Sequence, residues 1–143
     1  MRKTFILFIV AAACGALASC NRMVPFQSLP APVQSFLSTH YEGVPVPFAK
    51  SELCEYEVVL PNGTEIEFSR KGEWKKIDAG HVSVPASIIQ TLPAPIGDYL
   101  SASFAGIPVE TVEKGFFGGY ELELVNDVEL KFSGEGVLKS CSF

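Results

Sequence analysis

The sequence predicts an α+β fold: two tandem α-β4 repeats forming an eight-strand antiparallel sheet with helices on one face. Three observations predict it. The segment Leu29–Val46 returns 63 residues later as Leu92–Val109, with nine of 18 positions identical and four more exchanged between similar apolar or aromatic residues. Each copy carries apolar residues at helical spacing, and each is followed by segments that alternate apolar and polar residues. Helices that hide one stripe and strands that hide one face need a shared core, which a two-layer arrangement supplies.

The first helix opens at Leu29-Pro-Ala-Pro32 and its twin at Leu92-Pro-Ala-Pro95. Pro32 and Pro95 fall in the first turn, where a missing N–H is harmless. Val33, Phe36, Leu37, His40 and Tyr41 then fall at i, i+3, i+4, i+7 and i+8, as do Ile96, Tyr99, Leu100, Ser103 and Phe104. That is the stripe of a helix lying on a core. Gly43 and Gly106 supply the left-handed residue that ends a helix. Ahead of the second helix, Ser83–Leu92 predicts a short helical turn with Ser83 as cap and Pro85 at its start. The matching stretch Val24–Leu29 is shorter, so a reduced version is expected there.

Four strands are expected after each long helix. The first of each set, Val46–Leu53 and Val109–Lys114, begins beside Pro45, Pro47 or Pro108, which suits an edge or bend. Tyr56–Leu60 matches Tyr120–Leu124, and Thr64–Phe68 matches Val128–Phe132. Their period of two turns Tyr56, Val58, Leu60, Ile66 and Phe68 inward and leaves the glutamates outside. Asn62-Gly63 signals a two-residue hairpin, with Asn126-Asp127 its weaker counterpart. Gly72 and Gly136 turn the chain into strands around Trp74–Ile77 and Val137–Cys141. Because Trp74 corresponds to Leu138, it is expected in the core.

Residues 1–19 read as a signal peptide of the lipoprotein type. Arg2 and Lys3 precede an apolar run, Phe5–Ala13, that is too short to span a bilayer. Leu17-Ala18-Ser19-Cys20 fits the lipobox pattern, with cleavage before Cys20 and acylation of its thiol. Ordinary cleavage after Ala18 and an uncleaved anchor are the alternatives. The remaining domain, residues 20–143, divides into repeat 1, about 24–80, and repeat 2, about 81–143. The whole chain of 143 residues carries a net charge of −5, and removal of residues 1–19 leaves sixteen acidic residues against nine basic ones. Such an acidic domain does not suit nucleic acid. Cys54 and Cys141 are read either as two separate buried thiols or as a bridge, which an oxidising compartment would permit.

The ordered set Val24-Pro25, Tyr41, Tyr56-Glu57-Val58, Asn62-Gly63-Thr64-Glu65-Ile66, Gly72-Glu73-Trp74-Lys75-Lys76-Ile77-Asp78 and Val84-Pro85 resembles the β-lactamase-inhibitor-like, PepSY-like family of small exported proteins typical of Bacteroidetes. The resemblance covers about residues 24 to 142. It implies a duplicated fold similar to the β-lactamase inhibitory protein, with the sheet face opposite the helices open and concave. It also implies a non-enzymatic exported protein and brings no catalytic residues. The chain departs from the pattern in its Leu-Pro-Ala-Pro insertions and in Asn126-Asp127.

No constellation announces a chemistry. His40 and His81 lack metal-ligand spacing, so neither a metal nor a cofactor is expected. No Gly-x-Ser-x-Gly elbow occurs. Gly115, Gly118 and Gly119 read as a flexible turn that does not open a helix. Glu65/Glu67 and Glu121/Glu123 share a strand face at roughly 6.5–7 Å, loosely compatible with acid/base work but ordinary on a solvated strand. The candidate binding face is therefore the open side of the sheet: Glu57, Glu65, Glu67, Glu121, Glu123 and Glu129, with Val59 and Lys131 beside them. The expected function is non-enzymatic binding of a protein of the cell envelope through this face. The module would be held on the membrane by a lipid on Cys20 and face the periplasm, with a soluble periplasmic form as the alternative. A second reading is modulation or inhibition of an envelope hydrolase, a β-lactamase or a protease. A third is an acid/base hydrolase using paired glutamates.

Overall fold

Two prolines start each long helix and fix how it meets the sheet. In the computed structural model, which describes residues 21–143, the chain runs β1 (Arg22–Pro25), a 3-10 turn (Phe26–Ser28), α1 (Ala31–His40), β2 (Phe48–Ser51), β3 (Glu55–Val59), β4 (Glu65–Ser69) and β5 (Trp74–Asp78). It continues through α2 (Ala86–Ile89), α3 (Ala94–Ser103), β6 (Val109–Lys114), β7 (Tyr120–Leu124), β8 (Glu129–Phe132) and β9 (Leu138–Ser142). The signal segment and Cys20 lie outside the described residues. Pro30 and Pro93 stand at the N-caps of α1 and α3, and Pro32 and Pro95 fill the next turn. Gly43 and Gly106 follow the helix ends at φ 75° and 76°, as the stop signal requires.

The strands form one antiparallel sheet in chain order, β1 to β9. The expected eight strands are nine, because Arg22–Pro25 pairs with the otherwise free edge of β2. Its four residues, Arg-Met-Val-Pro, show no alternation, and Pro25 sits at its end, where no donor is needed. The reduced helix expected in Val24–Leu29 is a single 3-10 turn. Ser83 is not a cap: α2 begins after Pro85, without a side-chain cap bond.

Five hairpins share one turn. Gly63 donates its N–H to the Leu60 carbonyl at 2.9 Å, and Leu60 donates to Thr64 at 2.8 Å. The same pair of bonds closes Ser69–Glu73, Gly115–Gly119, Leu124–Val128 and Ser133–Val137. The loops are thus three residues long, not two, with a left-handed third residue. Pro61, with its fixed φ, suits the first loop position. Gly63, Gly72, Gly118 and Gly136 occupy the third position at φ 85–89°, and Asp127 occupies it at 65°.

One face of the sheet is buried. Val58, Ile66, Phe68, Ile77, Val112, Leu122, Leu130 and Phe132 join Val33, Leu37, Ile88 and Ile96 of the helices in a single core. Each such side chain contributes roughly 1.5–3 kcal/mol by leaving water. Phe36 packs edge-on against Phe68 with ring centres 5.4 Å apart, and Tyr99 against Phe132 at 5.8 Å. Trp74 is buried, with the Lys114 ammonium 4.1 Å from its ring centre. Leu100 is only partly buried, whereas Leu37 at the matching position is 3% exposed. Cys54 and Cys141 are free thiols. Cys54 is exposed in the β2–β3 turn and Cys141 lies on β9, so they are six strands apart and beyond bridging range.

The helix starts rest on turn glycines. A Cβ on Gly72 would lie 3.1 and 3.2 Å from the Cβ atoms of Pro32 and Pro30, and one on Gly136 would lie 2.9 Å from that of Pro93. Gly63 has the same φ as Gly72, 89°, but nothing within 4 Å. Gly63→Ala should therefore destabilise by about 1 kcal/mol, the backbone penalty alone. Gly72→Ala and Gly136→Ala should each lose about 1–2 kcal/mol more through displaced prolines. Urea denaturation of the three variants checks this, and equal losses would mean that the helices are not seated on these turns.

Candidate binding face

The register lines the outward side chains into two rows that cross the sheet. The first reads Lys50, Glu57, Glu67, Lys76, Glu113, Glu121, Lys131, each the direct neighbour of the next. Every third member is a lysine. Three lysines against four glutamates leave the row largely compensated: Lys50 reaches Glu57 at 3.0 Å and, beside the row, Glu52 at 2.6 Å, and Lys131 reaches Glu121 at 3.1 Å. Donating hydrogen bonds to Glu52 and Glu57 holds the Lys50 ammonium well above its ordinary pKa. Beside this row, Lys75 pairs with Glu55 at 2.6 Å.

The second row lies nearer the other end of the strands and reads Val59, Glu65, Asp78, Thr111, Glu123, Glu129, Ser142. It holds four carboxylates and no cation. Burial raises the Glu123 pKa, and repulsion from Glu110, Glu129, Asp127 and Asp78 adds to it. Glu67 is also raised, by burial first and then by Glu55.

All six glutamates expected on the candidate face point outward, but they fall into different settings. Glu57, Glu67 and Glu121 belong to the compensated row, and Glu65, Glu123 and Glu129 to the uncompensated one. The sequence reading missed Asp78, whose place in the acidic row depends on pairing with Glu65 and Thr111. A shallow hollow of about 180 Å³ on this face reaches from Lys76 past Thr111 and Glu123 to Glu129. Of the paired glutamates, Glu65 is exposed, and Glu65 and Glu67 sit in different rows with different neighbours.

Other polar groups have structural surroundings. His40 Nδ1 lies 2.8 Å from the Ser87 hydroxyl, its ring packs 4.7 Å from that of Phe36, and burial lowers its pKa. Tyr41 lines a hollow of about 230 Å³ with Phe26, Leu37 and Val44, and burial pushes its phenol up to about 12. Among the described residues no three His, Cys, Asp or Glu side chains are grouped closely enough to hold a metal ion.

The raised carboxylates make a pH signature. A carboxyl whose pKa is higher folded than unfolded stabilises fully below the unfolded value of 4.5, and that stability is lost as pH rises through the folded value. Glu67→Gln and Glu123→Gln should raise Tm at pH 7, on the order of 1–2 °C after solvent screening, and leave it unchanged at pH 4. Thermal melts across pH 4–7 test this, and a lower Tm at pH 7 would show that these carboxylates are stabilised by the fold.

A search of the curated proteins finds no match. Solved structures do match. A "putative calcium-regulated periplasmic protein" from Bacteroides thetaiotaomicron is 31% identical, with a TM-score of 0.77 over 86% of this chain and 97% of that one. A "putative periplasmic protein" of the DUF2874 family from Bacteroides vulgatus is 25% identical, with a TM-score of 0.79 over 89% and 100%. Another from Bacteroides vulgatus, described as of unknown function, is 30% identical, with a TM-score of 0.75 over 86% and 99%. The family described as "putative beta-lactamase-inhibitor-like, PepSY-like" matches residues 54–140. The resemblance first read from the ordered motifs is thus a family relationship, and the chain belongs to the PepSY-like family.

Proposed function

We propose that this chain is a non-enzymatic, exported binding module of the cell envelope that captures a basic or mixed-charge protein segment on the acidic row of its open sheet face. The observation that carries this reading is the contrast between the two rows. One is largely compensated within the sheet by its three lysines. The other holds Glu65 beside Asp78 and Glu123 beside Glu129 with no cation, and the repulsion among them adds to the burial that raises the Glu123 pKa. A cationic partner would relieve that repulsion and so bind by electrostatic complementarity. The module is built of two tandem α-β4 units, about 24–80 and 81–143, a reading supported by the paired Phe36–Phe68 and Tyr99–Phe132 contacts at matching positions. The periplasmic descriptions of its structural neighbours support export. After loss of residues 1–19, a lipid on Cys20 holds the module on the membrane. The inhibitor-like description of the family favours a second reading, in which the captured partner is an envelope hydrolase, a β-lactamase or a protease.

Capture from envelope extract separates the rows. Glu65→Lys with Glu129→Lys should abolish recovery of partners at low salt, whereas Glu57→Lys with Glu121→Lys should leave most of it; the same partners recovered by all variants would remove the acidic row from the mechanism. Adding purified β-lactamases and proteases to the wild-type module tests the second reading by residual activity. Anchoring is tested by fractionation: Cys20→Ala should move the protein from the membrane pellet to the soluble fraction and abolish acyl labelling, and an unchanged pellet would refute the lipid.

A further inference from the structure

In an antiparallel meander successive turns alternate between the two ends of the sheet. The register puts the turns after β2, β4, β6 and β8 at one end, and Arg22, paired with Ser51, opens β1 at that same end. Asn21, one bond beyond Cys20, therefore emerges beside these four turns. The turn after β6 carries Phe116 and Phe117, which are 96% and 97% exposed, with their rings packed edge-on at 5.2 Å. Leu53, in the turn after β2, is 74% exposed, and Val137, beside the turn after β8, is 63% exposed. Apart from the C-terminal Phe143, these are the most exposed large apolar residues described.

The backbone holds the two phenylalanines outward. A Cβ on Gly119 would meet the Phe132 carbonyl oxygen at 2.5 Å, and one on Gly134 would meet that of Gly118 at 2.7 Å. The base of the β6–β7 turn thus lies in backbone contact with the end of β8 and with the β8–β9 turn. The β2–β3 loop has two residues, 53–54, between the bonded Glu52 and Glu55, where the β6–β7 loop has three, 116–118, between Gly115 and Gly119. The longer one presents aromatic rings in place of Leu53 and Cys54.

Charge is divided along the same axis. Residues 23–49, 51–69, 77–113 and 115–130 contain no lysine or arginine. Every described lysine and arginine consequently lies in a turn at the Phe116–Phe117 end, in the half of a strand nearest it or, for Lys76, at the middle of β5. The opposite end carries Glu65, Asp78, Glu110, Glu123, Asp127 and Glu129 with no cation among them. At the Phe116–Phe117 end Glu52, Glu55, Glu73, Glu113 and Glu135 lie among the cations and bring it close to neutral, so an anionic lipid surface repels the acidic end and tolerates the other.

We propose that the Phe116–Phe117 end of the sheet rests on the lipid bilayer, with both rings inserted into its interface, so that the acidic row is held away from the membrane. This rests on the lipid attachment at Cys20 proposed above, which leaves the chain at this end. The rings add a second contact, on the order of 25 Å along the sheet from β1 at about 4.8 Å per strand. An acyl chain at one corner leaves the domain free to tumble, and a second apolar contact fixes its orientation.

The test uses the mature protein purified from membranes and placed in phosphatidylethanolamine–phosphatidylglycerol vesicles with brominated acyl chains. The mass of the Cys20 peptide is read first. Phe116→Trp adds a reporter at the tip, and the wild type, with buried Trp74 alone, supplies the background. The added emission is expected to shift to shorter wavelength and to fall to roughly half or less through bromine contact. Acylated Cys20 with water-like, unquenched emission at 116 would overturn the proposal and leave the anchor standing. If Cys20 proves unacylated, the anchor reading fails by itself, and the soluble chain is titrated with the same vesicles: quenching sustains the proposal and its absence overturns it. Protection of the reporter by envelope protein but not by vesicles would make the tip a protein-docking site and would also overturn it.

Discussion

The fold depends on two glycines that touch two proline-led helix starts. Gly72 lies under Pro30, Pro32 and Val33, and Gly136 under Pro93, Pro95 and Ile96. A hairpin turn can come this close to a helix only if it has no side chain, and the helix can begin there only if its first turn needs no donors. Each requirement has one economical residue. Together they set the height of each helix above the sheet, and from that height follow the ring contacts of Phe36 on Phe68 and Tyr99 on Phe132. The core is filled from these two fixed points outward.

With one face committed to the core, the other is free to carry charge, and the strand register decides how. Because neighbouring strands pair residue to residue, a lysine at every third strand offsets all but one charge of one whole row, and a shift by one pair of residues leaves the next row without a cation. The same composition could have been scattered into harmless pairs. Separation into a balanced row and an unbalanced one is a property of the sheet rather than of any single strand, which is why the binding reading attaches to a row.

What could be read from the sequence was local. Helix stripes, proline starts and glycine stops depend on residues within a turn or two, and the repeat displayed them twice. Alternation placed the glutamates outside for the same reason. The edge strand Arg22–Pro25 was hidden because it has no alternation, and it becomes a strand only by borrowing the free edge of β2. The place of Asp78 in the acidic row needed pairings from distant parts of the chain. The exposure of Phe116 and Phe117 was hidden by their glycine neighbours, which read as flexibility. In the fold those glycines make a tight backbone junction that no flexible loop could form.

Asp127 is the one described residue other than glycine with a left-handed backbone, at φ 65°. Its four counterparts in the same turn are glycines, so the easier occupant is on hand throughout the molecule. The chain accepts a less comfortable conformation and gains a carboxylate at the end where the potential is already most negative. Conformational ease is exchanged there for field strength. A field of that kind reaches about 8 Å in physiological salt, far enough that a positively charged partner of the proposed kind would be turned before contact. The Asp127 charge already acts on Glu123, whose pKa it helps to raise.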